Sequence, residues 1–165
     1  MSTWTPAGNF LIGQGIEETS TTQKHQLGTI VQCKDALLGS AEFIYLKGVA
    51  STVVGSIVNY DDTWQTALDT AAVAGPSRPL AVAMSACVAS NWGWYQISGM
   101  AVATKANSVS FADGAGLGSS SGLAVAVATG TVIQGAVVRT VASAKSNVTT
   151  VAIAINRPHG PSDVS

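Results

Sequence analysis

Between Leu80 and Ala89 the chain alternates large and small side chains without a break. Leu80, Val82, Met84, Ala86 and Val88 fall on one face of an extended strand; Ala81, Ala83, Ser85, Cys87 and Ala89 fall on the other. The same alternation returns at Leu123-Ala124-Val125-Ala126-Val127-Ala128 and at Val151-Ala152-Ile153-Ala154-Ile155. A half-exposed strand carries charged or large polar groups on its wet face. Here that face is alanine, serine and cysteine, and small residues let another layer approach closely. The pattern predicts strands covered on both faces, by a second sheet and by a subunit or a long loop. A small sandwich with an alanine-rich exterior is the competing reading.

Arg78 to Gly99 reads as one strand, a tight turn at Asn91-Trp92-Gly93, and a returning strand opened by Trp94-Tyr95. Upstream, Leu27 to Cys33 predicts a first strand, Lys34 to Ser40 a turn, and Ala41 to Lys47 a second strand rich in aromatic and branched residues. Gly48 and Gly55 bracket a short run before the strand Ser56 to Tyr60. Asp62 to Gly75 admits two readings. In one it is a short helix, capped by Asp62 with Gln65 at capping-box spacing and Trp64, Leu68, Ala71 and Ala72 on one face. In the other it is an irregular excursion with a strand. Asp113 to Gly122 predicts a flexible loop, and Thr131 to Ala144 predicts further strands. Asn147 marks a turn before the last strand, and the ending RPHGPSDVS is broken by proline and glycine. The expected fold class is all-β: a compact β-barrel or β-sandwich over residues 27–157, an extended N-terminal arm over 1–26, a tail over 158–165, and at most one short helix.

Residues 1–26 are rich in Thr, Gln, Gly and Ser and sustain no period. Such a segment cannot bury enough surface to order itself. It is either a frayed terminus or an arm that orders along a partner, with Trp4, Phe10, Leu11 and Ile12 as its anchors. On the arm reading, removing residues 1–20 leaves the β domain folded. Trp92, Trp94 and Tyr95 likewise allow two readings, a core plug at a hairpin corner or an aromatic cluster at a subunit junction.

Composition narrows the function. Only 10% of residues are charged, against roughly 25% in ordinary soluble chains. A surface so poor in charge is expected to meet a partner. A net charge of −1 argues against an electrostatic nucleic-acid binder. The most apolar run, Leu123 to Ala144, is interrupted by Gly130, Gln134, Gly135 and Arg139 and reads as strands rather than a membrane span. The N-terminus lacks the cationic and apolar regions of a signal peptide, so assembly in a cytoplasm is expected. Cys33 and Cys87 are expected to be reduced and buried.

Candidate chemistry is thin. Gly118-Ser119-Ser120-Ser121-Gly122 matches the G-x-S-x-G elbow in form, but lies in Gly/Ser-rich sequence with only His159 after it. Gly114-Ala115-Gly116 lacks the third glycine of a dinucleotide turn. His25 and His159 have no third ligand at metal spacing, and Asp61-Asp62 lack a calcium-loop pattern. Asn147-Val148-Thr149 is a sequon in form only. No active site, cofactor or metal is expected.

Three pieces together resemble a known family: LGTIV after a polar arm, AEFIYLKGVASTVVGSIVNYD, and RPLAVAMSACVASNWGWYQISGMAVA with its Gly93 to Gly99 centre. They resemble the small capsid decoration (cement, or head-fibre-base) proteins of tailed bacteriophages, over about Leu27 to Ala103. The resemblance implies a non-enzymatic virion protein on the outer capsid surface, bound to the major capsid protein and stabilising its expanded lattice. It further implies homotrimers at three-fold or quasi-three-fold axes, with the arm lying along the capsid. Trp4, Phe10, Leu11 and Ile12 would then be capsid contacts, and Trp92, Trp94 and Tyr95 would be core or subunit junction. A fibre- or tail-associated module binding host glycan through the aromatic corner is the alternative.

Overall fold

The structure, a computed structural model, describes residues 4–7, 13–70, 77–127, 131–139 and 149–160. They form an all-β fold with no helix. The strands are β1 (Thr5–Pro6), β2 (Thr19–Ser20), β3 (Ile30–Asp35), β4 (Gly39–Lys47), β5 (Ile57–Tyr60), β6 (Thr66–Leu68), β7 (Leu80–Ala83), β8 (Trp92–Thr104), β9 (Gly118–Ser120), β10 (Leu123–Val125), β11 (Gln134–Val138) and β12 (Thr150–His159).

β8 is the spine, and Ser98 divides it. Before Ser98, one edge carries β4, from Glu42 opposite Ser98 to Lys47 opposite Trp92. After Ser98, β12 runs antiparallel from Asn156 opposite Ser98 to Thr150 opposite Thr104. The main sheet runs β1-β3-β4-β8-β7-β5-β6, with β12, β11 and β2 joined to it through β8, and β9–β10 form a separate hairpin. The sheet curls until Gln65, just before β6, bridges back to Lys47 at the end of β4. That contact is one bridge wide, short of the continuous ladder of a closed barrel.

The curl separates three apolar clusters. Inside it lie Ile44, Leu46, Val58, Ala81, Ala83, Tyr95 and Ile97. On the outer face of β3, β4 and β8 lie Val31, Cys33, Phe43, Tyr45 and Trp94, joined by Trp4 and Ile16 from the N-terminal segment. A third cluster joins Leu80 and Val82 to Ala101, Leu117, Val138, Val151 and Ile153. β4 and β7 therefore each face two cores, and every residue of β7 is buried. This explains the large/small alternation. Alanines 81 and 83 fit the tight interior of the curl, while Leu80 and Val82 fill the third cluster. Both covering layers come from the chain itself.

The strand read over Leu80 to Ala89 is shorter than its pattern. β7 ends at Ala83, and the returning strand starts at Trp92 rather than Trp94. β4 holds one edge of β8 at Gly93 and Trp92, and β2 takes the other by pairing Thr19 with Gly93 and Ser20 with Trp92. No edge remains for residues 85 onward, so they turn locally, with Cys87 N–H bonded to Ser85 O and Val88 N–H to Ala86 O. For Asp62 to Gly75, the excursion with a strand holds as far as the described residues go. Asp61 Oδ1 accepts from Thr63 N, Thr63 Oγ1 and Gln65 N, making a tight turn in place of a helix cap, and β6 follows.

Asp113 to Gly122 is not a free loop. Leu117, Gly118 and Ser119 are buried. Ser119 Oγ donates to the buried carboxylate of Asp69, which also accepts from Asn59 Nδ2 at 3.0 Å. β12 extends through Pro158 to His159, and Gly160 N–H donates to Arg78 O at 2.9 Å. The strand thus continues two residues into the stretch read as a tail. It can do so because Pro158, which has no N–H to give, sits buried near the strand end.

Candidate interaction surface

The N-terminal segment is seated by a polar latch. Gln14 is 4% exposed. Its Nε2 donates to Glu18 O at 2.8 Å and to Trp92 O at 2.9 Å. Its Oε1 accepts from Tyr45 Oη at 2.8 Å, and its carbonyl accepts from Trp94 Nε1 at 3.0 Å. Tyr45 Oη in turn accepts from Lys24 N–H at 3.1 Å. Residues 13–26 therefore order on the chain's own sheet. The segment compensates for its scarcity of apolar groups by satisfying buried polar atoms, which a hydrophobicity argument does not count.

His25 closes this cluster. Its ring lies 5.1 Å from Tyr45 and 5.0 Å from Trp94, and its Nε2 is buried with no hydrogen-bond partner. Burial lowers the His25 pKa from its ordinary value.

The expected arm contacts divide. Trp4 is buried and set edge-on to Phe43, with ring centroids 4.9 Å apart. Its ring packs into the chain's own core. Phe10, Leu11 and Ile12 lie outside the described residues. At the aromatic corner, Trp94 and Tyr95 are fully buried and Trp92 partly so. The rings point to different places: Trp94 to the outer cluster, Tyr95 to the interior of the curl. Tyr95 Oη is buried beside Cys87, and burial pushes its pKa up strongly, with the thiol adding to the effect.

The remaining candidates are scattered. Cys33 and Cys87 are free thiols, both pushed up in pKa by burial. Ser120 is exposed in the β9–β10 hairpin, so the Gly118 to Gly122 stretch lacks the strand–turn–helix of a nucleophile elbow. His159 Nδ1 meets Ser77 Oγ at 3.1 Å. Among the described residues no group of three His, Cys, Asp or Glu could hold a metal. The third cluster borders a partly open cavity of about 10 Å³, room for one water at most.

One end of the molecule stands apart. No charged residue occurs between Lys47 and Asp61, or between Arg78 and Lys105. Two exposed turns from these stretches lie side by side. Gly48 N–H donates to Asn91 O, and a Cβ on Gly48 would sit 2.0 Å from Cys87 O. Only glycine permits that approach. The second turn also carries Val88, 40% exposed, and the first carries Val53 and Val54 at 49% and 61%. Thr104 Oγ1 donates to Val54 O at 2.7 Å, fixing the first turn to the far half of β8. The result is a pair of adjoining, well-held turns that expose apolar side chains and carry no charged residue of their own. Residue alternation gave no signal for it. The coincidence of two charge-free runs was the available clue.

Compared with known proteins, the chain matches no protein-family model, no curated protein and no solved structure.

Proposed function

We propose that this chain is a viral capsid decoration protein. It binds the outer surface of the expanded phage head and stabilises the lattice of the major capsid protein, without catalysing a reaction. The observation that carries the reading is the pair of adjoining turns, free of charged residues of their own, that expose Val53, Val54 and Val88. Exposed apolar groups on a well-held face are costly to leave in water and rewarding to cover. A lattice subunit is a suitable cover, because its surface repeats and binding can be multivalent. In a homotrimer three such faces engage together, and linkage raises avidity well beyond one contact. A clamp that prefers the expanded shell stabilises that state by mass action. Phe10, Leu11 and Ile12 remain the proposed arm contacts, and the virion surface the proposed location.

The test is co-sedimentation of the purified protein with expanded, undecorated heads of the parent phage and with unexpanded proheads. Saturable binding to the expanded form supports the proposal. Val54→Asp, placing a charge on that face, is expected to weaken binding about tenfold or more while the fold persists, since the site is already exposed. Absence of binding to either shell refutes the capsid reading. Equal binding by Val54→Asp refutes the assignment of the face.

A further inference from the structure

The most unusual side-chain arrangement lies away from these two turns, where β5 turns into β6. Tyr60 and Trp64 stack with ring centroids 6.3 Å apart and planes inclined by 25°. At that separation the rings are offset, so each leaves much of a face uncovered by the other. The pair borders the interior cluster on one side. Both residues are partly buried, burial raising the Tyr60 pKa above its ordinary value, and among the described residues neither Tyr60 Oη nor Trp64 Nε1 has a hydrogen bond.

Two residues here adopt a backbone conformation that their side chains disfavour. Trp64 has φ 64° and Arg157 has φ 45°. A left-handed turn of this kind ordinarily takes glycine or asparagine. Keeping a tryptophan there fixes where its ring stands, and the ring lies directly on Gly28, where a Cβ would come within 2.7 Å of it.

The surround is polar but close to neutral. Arg157 Nη2 pairs with Glu42 Oε2 at 2.9 Å, with side chains 58% and 32% exposed, leaving further guanidinium N–H groups unused. Tyr60 N–H donates to Pro79 O at 3.2 Å, and Pro79 bridges to His159, so Arg78 and Arg157 stand one and two residues from this contact. All three turn bonds to Asp61 fall on Oδ1, so Oδ2 can accept from outside.

We propose that Tyr60 and Trp64, flanked by the Arg157–Glu42 pair and Asp61, form a carbohydrate-binding platform. A pyranose ring has one apolar C–H face and a rim of hydroxyls that both donate and accept. Aromatic faces meet the first; phenol, indole N–H, guanidinium and carboxylate meet the second. A polyanion such as nucleic acid would call for net positive charge, which the Arg157–Glu42 pair and the Asp61 carboxylate deny it. The proposal is independent of the capsid reading: its surface is different, and either can fail without the other.

The test is NMR titration of the full-length ¹⁵N-labelled protein. The chain has four tryptophans, so the Trp64 indole signal is readily singled out. The probes are methyl α-glucoside, methyl β-galactoside, N-acetylglucosamine and maltotriose, each to about 10 mM, enough to reach millimolar affinities. At least one is expected to move the Trp64 indole and Tyr60 ring signals saturably, leaving Trp94 unmoved. Trp64→Asn keeps a residue suited to the left-handed turn and is expected to weaken binding about tenfold or more. Arg157→Gln, which leaves the aromatic pair in place, is expected to weaken it several-fold. The proposal is overturned if no probe moves Trp64, if binding survives both substitutions, or if only a proline-rich peptide moves these signals.

Discussion

Gln14→Ala tests whether the N-terminal segment is held by polar atoms rather than by apolar burial. The substitution removes three side-chain hydrogen bonds, to Glu18 O, Trp92 O and from Tyr45 Oη. At about 1 kcal/mol net for each, the loss is about 3 kcal/mol. It rises further if the buried Tyr45 hydroxyl or the Trp92 carbonyl is left without a partner. For a domain of this size the melting temperature should fall by roughly 6–12 °C if unfolding is two-state. If the segment instead opens by itself, the loss appears locally. Exchange of the Trp94 indole N–H, bonded to Gln14 O, should then quicken about hundredfold while β4 and β8 amides keep their protection. Tyr45→Phe removes one of the three bonds, so its effect and that of Gln14→Ala should fall short of additive by about 1 kcal/mol. The reasoning is refuted if Gln14→Ala stays within about 0.5 kcal/mol of the parent and the indole remains protected.

Two further outcomes follow. The lowered pKa of His25 means that the folded state resists its protonation, while the unfolded chain binds a proton near the ordinary value of 6.5. This contribution to stability is complete above that value and is lost as pH falls below it; an imidazole titrating at or above 6.5 by NMR would show instead that the Tyr45 and Trp94 rings stabilise the cation. Gly48→Ala forces a Cβ against Cys87 O and Val88 O and is expected to cost about 3 kcal/mol in a denaturant melt, with an unperturbed melt contradicting the close approach.

The pattern of side-chain sizes was sufficient to predict an all-β chain and the double cover of β7, because alternation with period two reports directly on the two faces of a strand; in the stretch 123–128 the same pattern leaves Ala126 and Val127 exposed. β4 and the core of β7 are legible in this way. Less legible were features that depend on distant competition. Residues 85–89 continue the alternation of β7 yet do not pair, since β2 holds the β8 edge they would need. Asp62 and Gln65 have helix-cap spacing, but the neighbouring Asp61 captures the same backbone donors for a turn. The serine-rich stretch at Gly118 to Gly122 resembles a linker until Asp69, fifty residues earlier, is seen to bond Ser119. Local sequence carries no mark of such a partner. The same limit hid the candidate surfaces: Gly48 and Asn91, or Tyr60 and Pro79, lie far apart in the chain and meet only through the fold.

The competition for β8 also changes how the N-terminal segment is to be understood. A free arm could be removed without consequence for the domain, as a polar, aperiodic stretch suggests. Here residues 1–20 include Trp4 and Ile16 of the outer cluster, Gln14 of the latch, and the Thr19–Ser20 strand. Deleting them would uncover Phe43 and Trp94 and would vacate the edge of β8 at Trp92 and Gly93. That vacancy lies beside residues 85–88, whose side chains already have the alternation to fill it. Pairing there would draw Val88 out of the exposed turn and dismantle part of the adjoining pair of turns. A loss of capsid binding on truncation would therefore not by itself identify the arm as a contact. Substitutions at Val54, exposed and outside that edge, separate surface chemistry from the seating of the segment that shapes the surface.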